Sequence, residues 1–238
     1  MKPRIGLLAG ATTSGILCAF LFLTASSSAY ADVIIFNDFA PGSGYESWQG
    51  APIRGADDQI FGYRTFAEPF TSSIGANVTQ IDIGLTTVVG YSGYEGRSEE
   101  VIVTLAINDG GLLGKTLKSW DLTNLDLPRF GETSNSVTTI SDINGVHLSA
   151  GDSYYLSVTP ANSMAADVWN TNVLGITNTR LWNGVPQPDA LSSAFRIWGT
   201  PTPHIDPVPL PGTLPLFATG LGVLGLLGWR RKRKAQAA

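Results

Sequence analysis

The 238-residue sequence predicts an all-β fold, an antiparallel β-sandwich or jelly roll, flanked by an N-terminal signal peptide and a single C-terminal transmembrane helix. Three observations carry this. Apolar residues in the body of the chain recur with a period of two, as in Val101, Val103, Leu105 and Ile107, with Thr104 and Asn108 on the other face. Turn signals such as Asn108-Asp109-Gly110-Gly111, Asn144-Gly145, Ala150-Gly151-Asp152 and Asn183-Gly184 separate these runs. No stretch between the two ends repeats with helical spacing.

Taken in order, residues 1–31 read as a signal peptide. Lys2 and Arg4 precede an apolar stretch, and Ala29 and Ala31 supply small side chains at the −3 and −1 positions, so cleavage leaves Asp32 first. Cys18 follows Leu17, where a lipobox requires a small residue. The exported domain covers residues 32–199. Its strands are expected at 33–36, 64–66, 81–85, 101–107, 118–122, 137–140, 154–158 and 195–197, within a total of about eight to ten. Residues 200–207 follow as an extended stalk, since Pro201, Pro203 and Pro207 cannot donate ladder hydrogen bonds.

The tail at 208–234 has three parts. Val208, Pro209, Leu210 and Pro211 form a short motif, an uncharged apolar run gives a transmembrane helix over about 212–229, and Arg230, Arg231, Lys232, Arg233 and Lys234 close it. The run from Leu214 to Trp229 is short for the roughly 20 residues a membrane helix wants, and counting from Pro209 makes up the difference. The basic cluster sets that end in the cytoplasm. This tail resembles the PEP-CTERM sorting domain of Gram-negative bacteria, in its VPLP-type variant. The resemblance implies an exosortase-type transpeptidase as partner, acting at the motif after export. Leu210-Pro211-Gly212-Thr213 also mimics a sortase motif, but Leu214 stands where that motif has Gly. The body is similar to the choice-of-anchor modules found upstream of such tails, through Val146–Leu156, Trp169-Asn170-Thr171-Asn172 and Ala194–Gly199. That resemblance implies a fold and no catalytic role.

Setting the two ends aside changes the charge. Eight Lys and Arg against nineteen Asp and Glu leave about −11 for the exported part, against −4 for the whole chain. Such a surface repels nucleic acid. The domain also lacks cysteine, so it folds without disulfides in an oxidising compartment.

No catalytic or metal constellation is apparent. His147 sits in an expected strand and His204 in the stalk, Asp57-Asp58 and Glu99-Glu100 read as solvated acidic pairs, and no cofactor is expected. Asp57-Asp58 and Asn108-Asp109 are carboxylate-rich turns that can offer oxygens to Ca²⁺, though neither has the pattern of a dedicated loop. Tyr45, Trp48, Tyr63, Tyr91, Tyr94, Trp169 and Trp182 lie in or beside Gly-rich loops, where exposed rings stack on sugars and buried ones fill cores. The expectation is a non-enzymatic protein exported by the Sec route. It is held by a single inner-membrane span before processing, with an adhesive or structural role at the cell surface or in the extracellular polysaccharide matrix. The alternative is a carbohydrate-binding module, Ca²⁺-dependent or not, or a carbohydrate-active enzyme.

Overall fold

Alternating apolar residues build strands, and the computed structural model, which describes residues 31–132 and 135–202, pairs them into antiparallel sheets. In chain order the strands are β1 (Val33–Asn37), β2 (Gly50–Arg54), β3 (Phe66–Thr71), β4 (Ala76–Ile83), β5 (Leu85–Thr87), β6 (Val101–Asp109) and β7 (Leu112–Leu122). Then come β8 (Thr138–Ile140), β9 (His147–Leu148), β10 (Ser153–Pro160), β11 (Ala166–Asn170), β12 (Thr177–Trp182), β13 (Val185–Leu191) and β14 (Phe195–Pro201). Among the described residues there is no α-helix, only a short 3-10 turn at Pro41–Ser43, and none is long and apolar enough to cross a membrane. The expected signal peptide, sorting motif and transmembrane helix lie outside the described residues.

One sheet has the order β1-β14-β4-β8, with β9 also on β4. A second has the order β13-β12-β3-β10-β6-β7. A third, β2-β11-β5, prolongs the first, because β5 continues β4 after Gly84 and Ala194 N donates to Asn170 O at 2.7 Å. Side chains of the first and third sheets (Ile35, Ile81, Ile83, Leu85, Trp169, Phe195, Ile197) and of the second (Phe66, Phe70, Val103, Leu105, Leu156, Val158) form one buried cluster. The arrangement fits a β-sandwich. Phe195 is its ring hub, 4.6 Å from Phe36, 5.8 Å from Phe70 and 5.8 Å from Trp169 between centroids.

Several expected bounds shift. The strand expected at 64–66 starts at Phe66, and Arg64 makes only an isolated bridge to Arg54. Gly84 interrupts the strand expected at 81–85. A Cβ there would stand 3.0 Å from the ring of the buried Tyr45. Thr200 and Pro201, expected in the stalk, instead pair with Asn77 and Ala76 as the end of β14, and the rest of the expected stalk from residue 203 lies outside the described residues. β2 and β13 carry Pro52, Pro186 and Pro188 and lack alternation, yet both form as edge strands, where a missing N–H can face outward.

The register defines two poles. At one, Val33 pairs with Gly199, Ala76 with Pro201 and Leu148, and Ser153 with Thr71. At the other, Pro160 pairs with Val101, Val101 with Leu122, Ala166 with Arg54 and Asp167 with Thr87. The loops 55–65, 88–100, 123–132 and 161–165 and the β12–β13 turn gather at this second, loop-rich pole.

Candidate binding site at the loop pole

Arg54, the last residue of β2, organises the loop pole. It is 3% exposed, and its Nη1 donates to Ile53 O at 3.0 Å and to Asp167 O. Its Nε lies 3.2 Å from Asp58 Oδ2 without hydrogen-bond alignment. Burial pulls the guanidinium below its ordinary range, and Tyr94, Asp58 and Asp167 oppose that pull. Asp58 Oδ1 accepts from the N–H groups of Ile60 (2.9 Å) and Phe61 (2.8 Å), which folds the 55–64 loop back over the arginine. Neighbouring loops are tied to this one. Asp57 Oδ2 accepts from Ser163 Oγ at 2.5 Å, and Arg97 Nη2 donates to Asp57 O at 2.7 Å. Gly55 is obligatory at the crossing, because a Cβ there would come within 2.3 Å of Ser163 backbone. A cleft of about 550 Å³ opens beside these ties, lined by Asp57, Gln59, Glu95, Arg97 and Met164.

Arginine and aromatic planes then alternate across the pole. Arg54 lies over Tyr94 (5.3 Å) and Phe61 (5.6 Å), and Arg64 over Phe61 (5.1 Å) and Trp182 (4.5 Å). Trp182 stacks on Phe66 with an interplanar angle of 12°, and Arg180 lies over Phe66 at 5.0 Å. Three residues before Tyr94 in the same loop, Tyr91 donates its hydroxyl proton to Phe130 O at 2.7 Å and carries Arg129 over its ring. Trp48, 70% exposed, meets Phe130 edge-on at 6.1 Å and lies against Gly131, where a Cβ would come within 2.5 Å of the indole. The result is a belt of rings and guanidinium groups in which Trp48, Phe61, Tyr63 and Tyr91 are exposed.

The aromatic residues singled out in the sequence therefore divide. Tyr45 and Trp169 are core, Tyr94 and Trp182 are half-buried, and Trp48, Tyr63 and Tyr91 face solvent. The acidic pairs, expected as solvated faces, are so only in part: Asp57 is exposed, and Glu99 and Glu100 are half-buried. Asp58 is buried, Glu99 accepts from Leu127 N at 3.1 Å, and Glu100 accepts from Asn162 Nδ2. Asn108-Asp109 is turn chemistry, with Asn108 Oδ1 accepting from Gly111 N at 2.8 Å. Asp32 is exposed beside the other pole, while Ala29, the motif Val208–Pro211 and the cluster Arg230–Lys234 lie outside the described residues. His147 is exposed on β9 beside a groove of about 900 Å³ that no carboxylate lines among the described residues.

Four buried carboxylates escaped the sequence reading: Asp82 on β4, and Glu68, Asp38 and Asp167. Glu68 alternates with Phe66 and Phe70 on the core face of β3, where it accepts from Ser193 N (3.0 Å) and Asn178 Nδ2 (2.9 Å). Burial raises it. Asp38 accepts from Phe195 N and Ser192 Oγ, both at 2.7 Å, and burial pushes it up to about 7. Asp167 shares the inward face of β11 with Trp169, and neither of its oxygens meets a donor in hydrogen-bond geometry. Burial, followed by the charge of Glu99, pushes it up to about 8. A carboxylate inside an otherwise apolar alternation is the signal that locates Glu68. Among the described residues, no group of three or more His, Cys, Asp and Glu side chains is arranged to hold a metal ion. Comparison with protein-family models finds no match to this chain, and comparison with curated proteins finds none.

Proposed function

We propose that the chain is an exported protein of the PEP-CTERM type, without catalysis of its own, whose β-sandwich or jelly roll has an adhesive or structural role in the envelope or the extracellular polysaccharide matrix. In this reading residues 1–31 direct Sec export. The tail at 208–234 gives a single inner-membrane span, and an exosortase-type transpeptidase acts at Val208–Pro211. One observation supports it above the others. Both ends of the sandwich meet at one pole, where Asp32 Oδ1 accepts from Thr200 Oγ1 at 2.7 Å and Val33 pairs with Gly199. A tether continuing from that pole leaves the belt of rings and arginines facing away from the bilayer. A reporter fused behind residue 205 tests export: signal outside the cytoplasm is expected, and signal confined to the cytoplasm overturns the reading. Mass spectrometry of the protein from its host tests processing, and a C-terminus intact to Ala238 replaces transpeptidation with a plain anchor.

A second reading, a carbohydrate-binding module, is favoured by Trp48. A large ring exposed yet fixed against Gly131 and Phe130 offers a flat apolar face with little ordering left to lose on binding. A glycan array with Ca²⁺ titration of the full chain in detergent tests it. Saturable binding lost in Trp48→Ala supports the module, and absence of any ligand removes it.

A further inference from the structure

We infer that the strip from Phe61 through Arg64 and Trp182 to Arg180 binds a carboxylated polysaccharide, a chain of uronate sugars, with Arg64 taking the carboxylate. This rests on the carbohydrate-binding reading and names its ligand class.

Arg64, like Arg129 and Arg180, is a member of the belt outside any ion pair among the described residues, and it is the one held between two rings, Phe61 and Trp182. Ion pairs among the described residues are Arg54–Asp58 and Arg196–Asp82, so Arg64 has no carboxylate partner in a segment with nineteen acidic and eight basic residues. Arg54, by contrast, is buried and spent on Ile53 O, Asp167 O and Asp58. Arg64 gives its Nε to Phe61 O at 3.0 Å, which leaves the two terminal nitrogens of the fork. Its plane is covered by Trp182 at 4.5 Å and Phe61 at 5.1 Å, so the donors available to a ligand lie along the edge. A guanidinium edge matches a carboxylate bidentately, and stacking fixes its orientation before the ligand arrives.

The support beneath it is rigid. Asn183 and Gly184 form the β12–β13 turn with φ of 47° and 78°. Asn183 Oδ1 accepts from Thr65 N at 2.8 Å, Asn183 Nδ2 donates to Tyr63 O at 3.1 Å, and Asn183 N donates to Thr65 O at 3.0 Å. The turn and the 63–65 segment are thus one unit. On it Tyr63, 53% exposed, stands one residue from Arg64, with the exposed Phe61 three residues before. Rings beside a free guanidinium edge suit a sugar that pairs an apolar face with a carboxylate, and Arg64 and Arg180 make this strip locally basic within a segment that is acidic as a whole. An acidic peptide would leave the rings unused.

The test uses the full chain in detergent, with polygalacturonate as probe and neutral dextran and dextran sulfate as comparisons. Polygalacturonate binding is expected to fall roughly 10- to 100-fold in Arg64→Gln and to weaken in about 0.5 M NaCl. Arg64→Lys should recover only part of it, and the urea midpoints of both variants should match the parent. Equal binding by Arg64→Gln, or tighter binding of dextran sulfate than of polygalacturonate, overturns the inference. If Trp48→Ala loses binding while Arg64→Gln keeps it, the carbohydrate reading survives and this inference does not. If no glycan binds, both fall.

Discussion

Asp82 and Asp167 both sit inside strands, and their surroundings drive them in opposite directions. Burial raises Asp82, but donors from four side chains outweigh it: Trp198 Nε1 at 2.9 Å, Arg196 Nη2 at 2.6 Å and Nε at 3.0 Å, Thr139 Oγ1 at 2.8 Å and Gln80 Nε2 at 2.8 Å. The carboxylate is held below its ordinary range. The stability it contributes is therefore present above that range and is lost as the pH falls through the depressed value. Asp82→Asn strands Arg196 and loosens β4, β8 and β14 together, and we expect a loss of about 3 kcal/mol in urea unfolding. Asp167 has the reverse sign. With its folded value up at about 8, the stability tied to its proton is full below about pH 4 and drains away as the pH rises toward 8. Asp38, up at about 7, acts in the same sense. Asp167→Asn is expected to flatten the decline in stability between about pH 5 and 7 by ~1.4 kcal/mol per pH unit. Urea midpoints at several pH values check this, and parallel slopes for parent and variant would refute it.

At the scale of elements, the loop pole depends on close backbone crossings. Gly55→Ala drives a Cβ into Ser163, and the neighbour struck is backbone, which cannot rotate away. The loops at 55–64 and 161–165 should part at a cost of about 1–3 kcal/mol. Limited proteolysis is the sensitive measurement, with new cleavage expected near Met164 while β6 and β10 remain protected. How legible each element was follows from where its information lies. β6 and β10 carry their own alternation, and the Asn183-Gly184 turn carries its own positive φ, so each could be read locally. β2 and β13 form because β11 and β12 offer partners, which no local pattern encodes. The belt is harder still, because Arg64 and Trp182 come from distant parts of the chain and meet only once β12 lies on β3. Trp48 and Trp169 both lie beside Gly-rich segments, and only the sheet decides which one is covered.

For the whole molecule, the decisive contact joins the two ends of the sandwich. β14 lies between β1 and β4, and Phe195 and Ile197 fill the centre of the core with no exposed surface. The first strand of the domain thus has no partner until the last has emerged, and the largest ring cluster cannot close before then. Such non-local pairing folds slowly, because loop entropy must be lost before long-range contacts reward it. A chain ending at residue 194 should accordingly show no cooperative melting and be degraded throughout. One ending at residue 202 should melt as the full chain does, with or without a reducing agent, since the cysteine-free domain needs no disulfide. Differential scanning calorimetry of the two truncations distinguishes these cases. Cooperative melting of the shorter one would mean that β1 through β13 hold a core of their own, and that β14 is an addition to the sandwich rather than its closure.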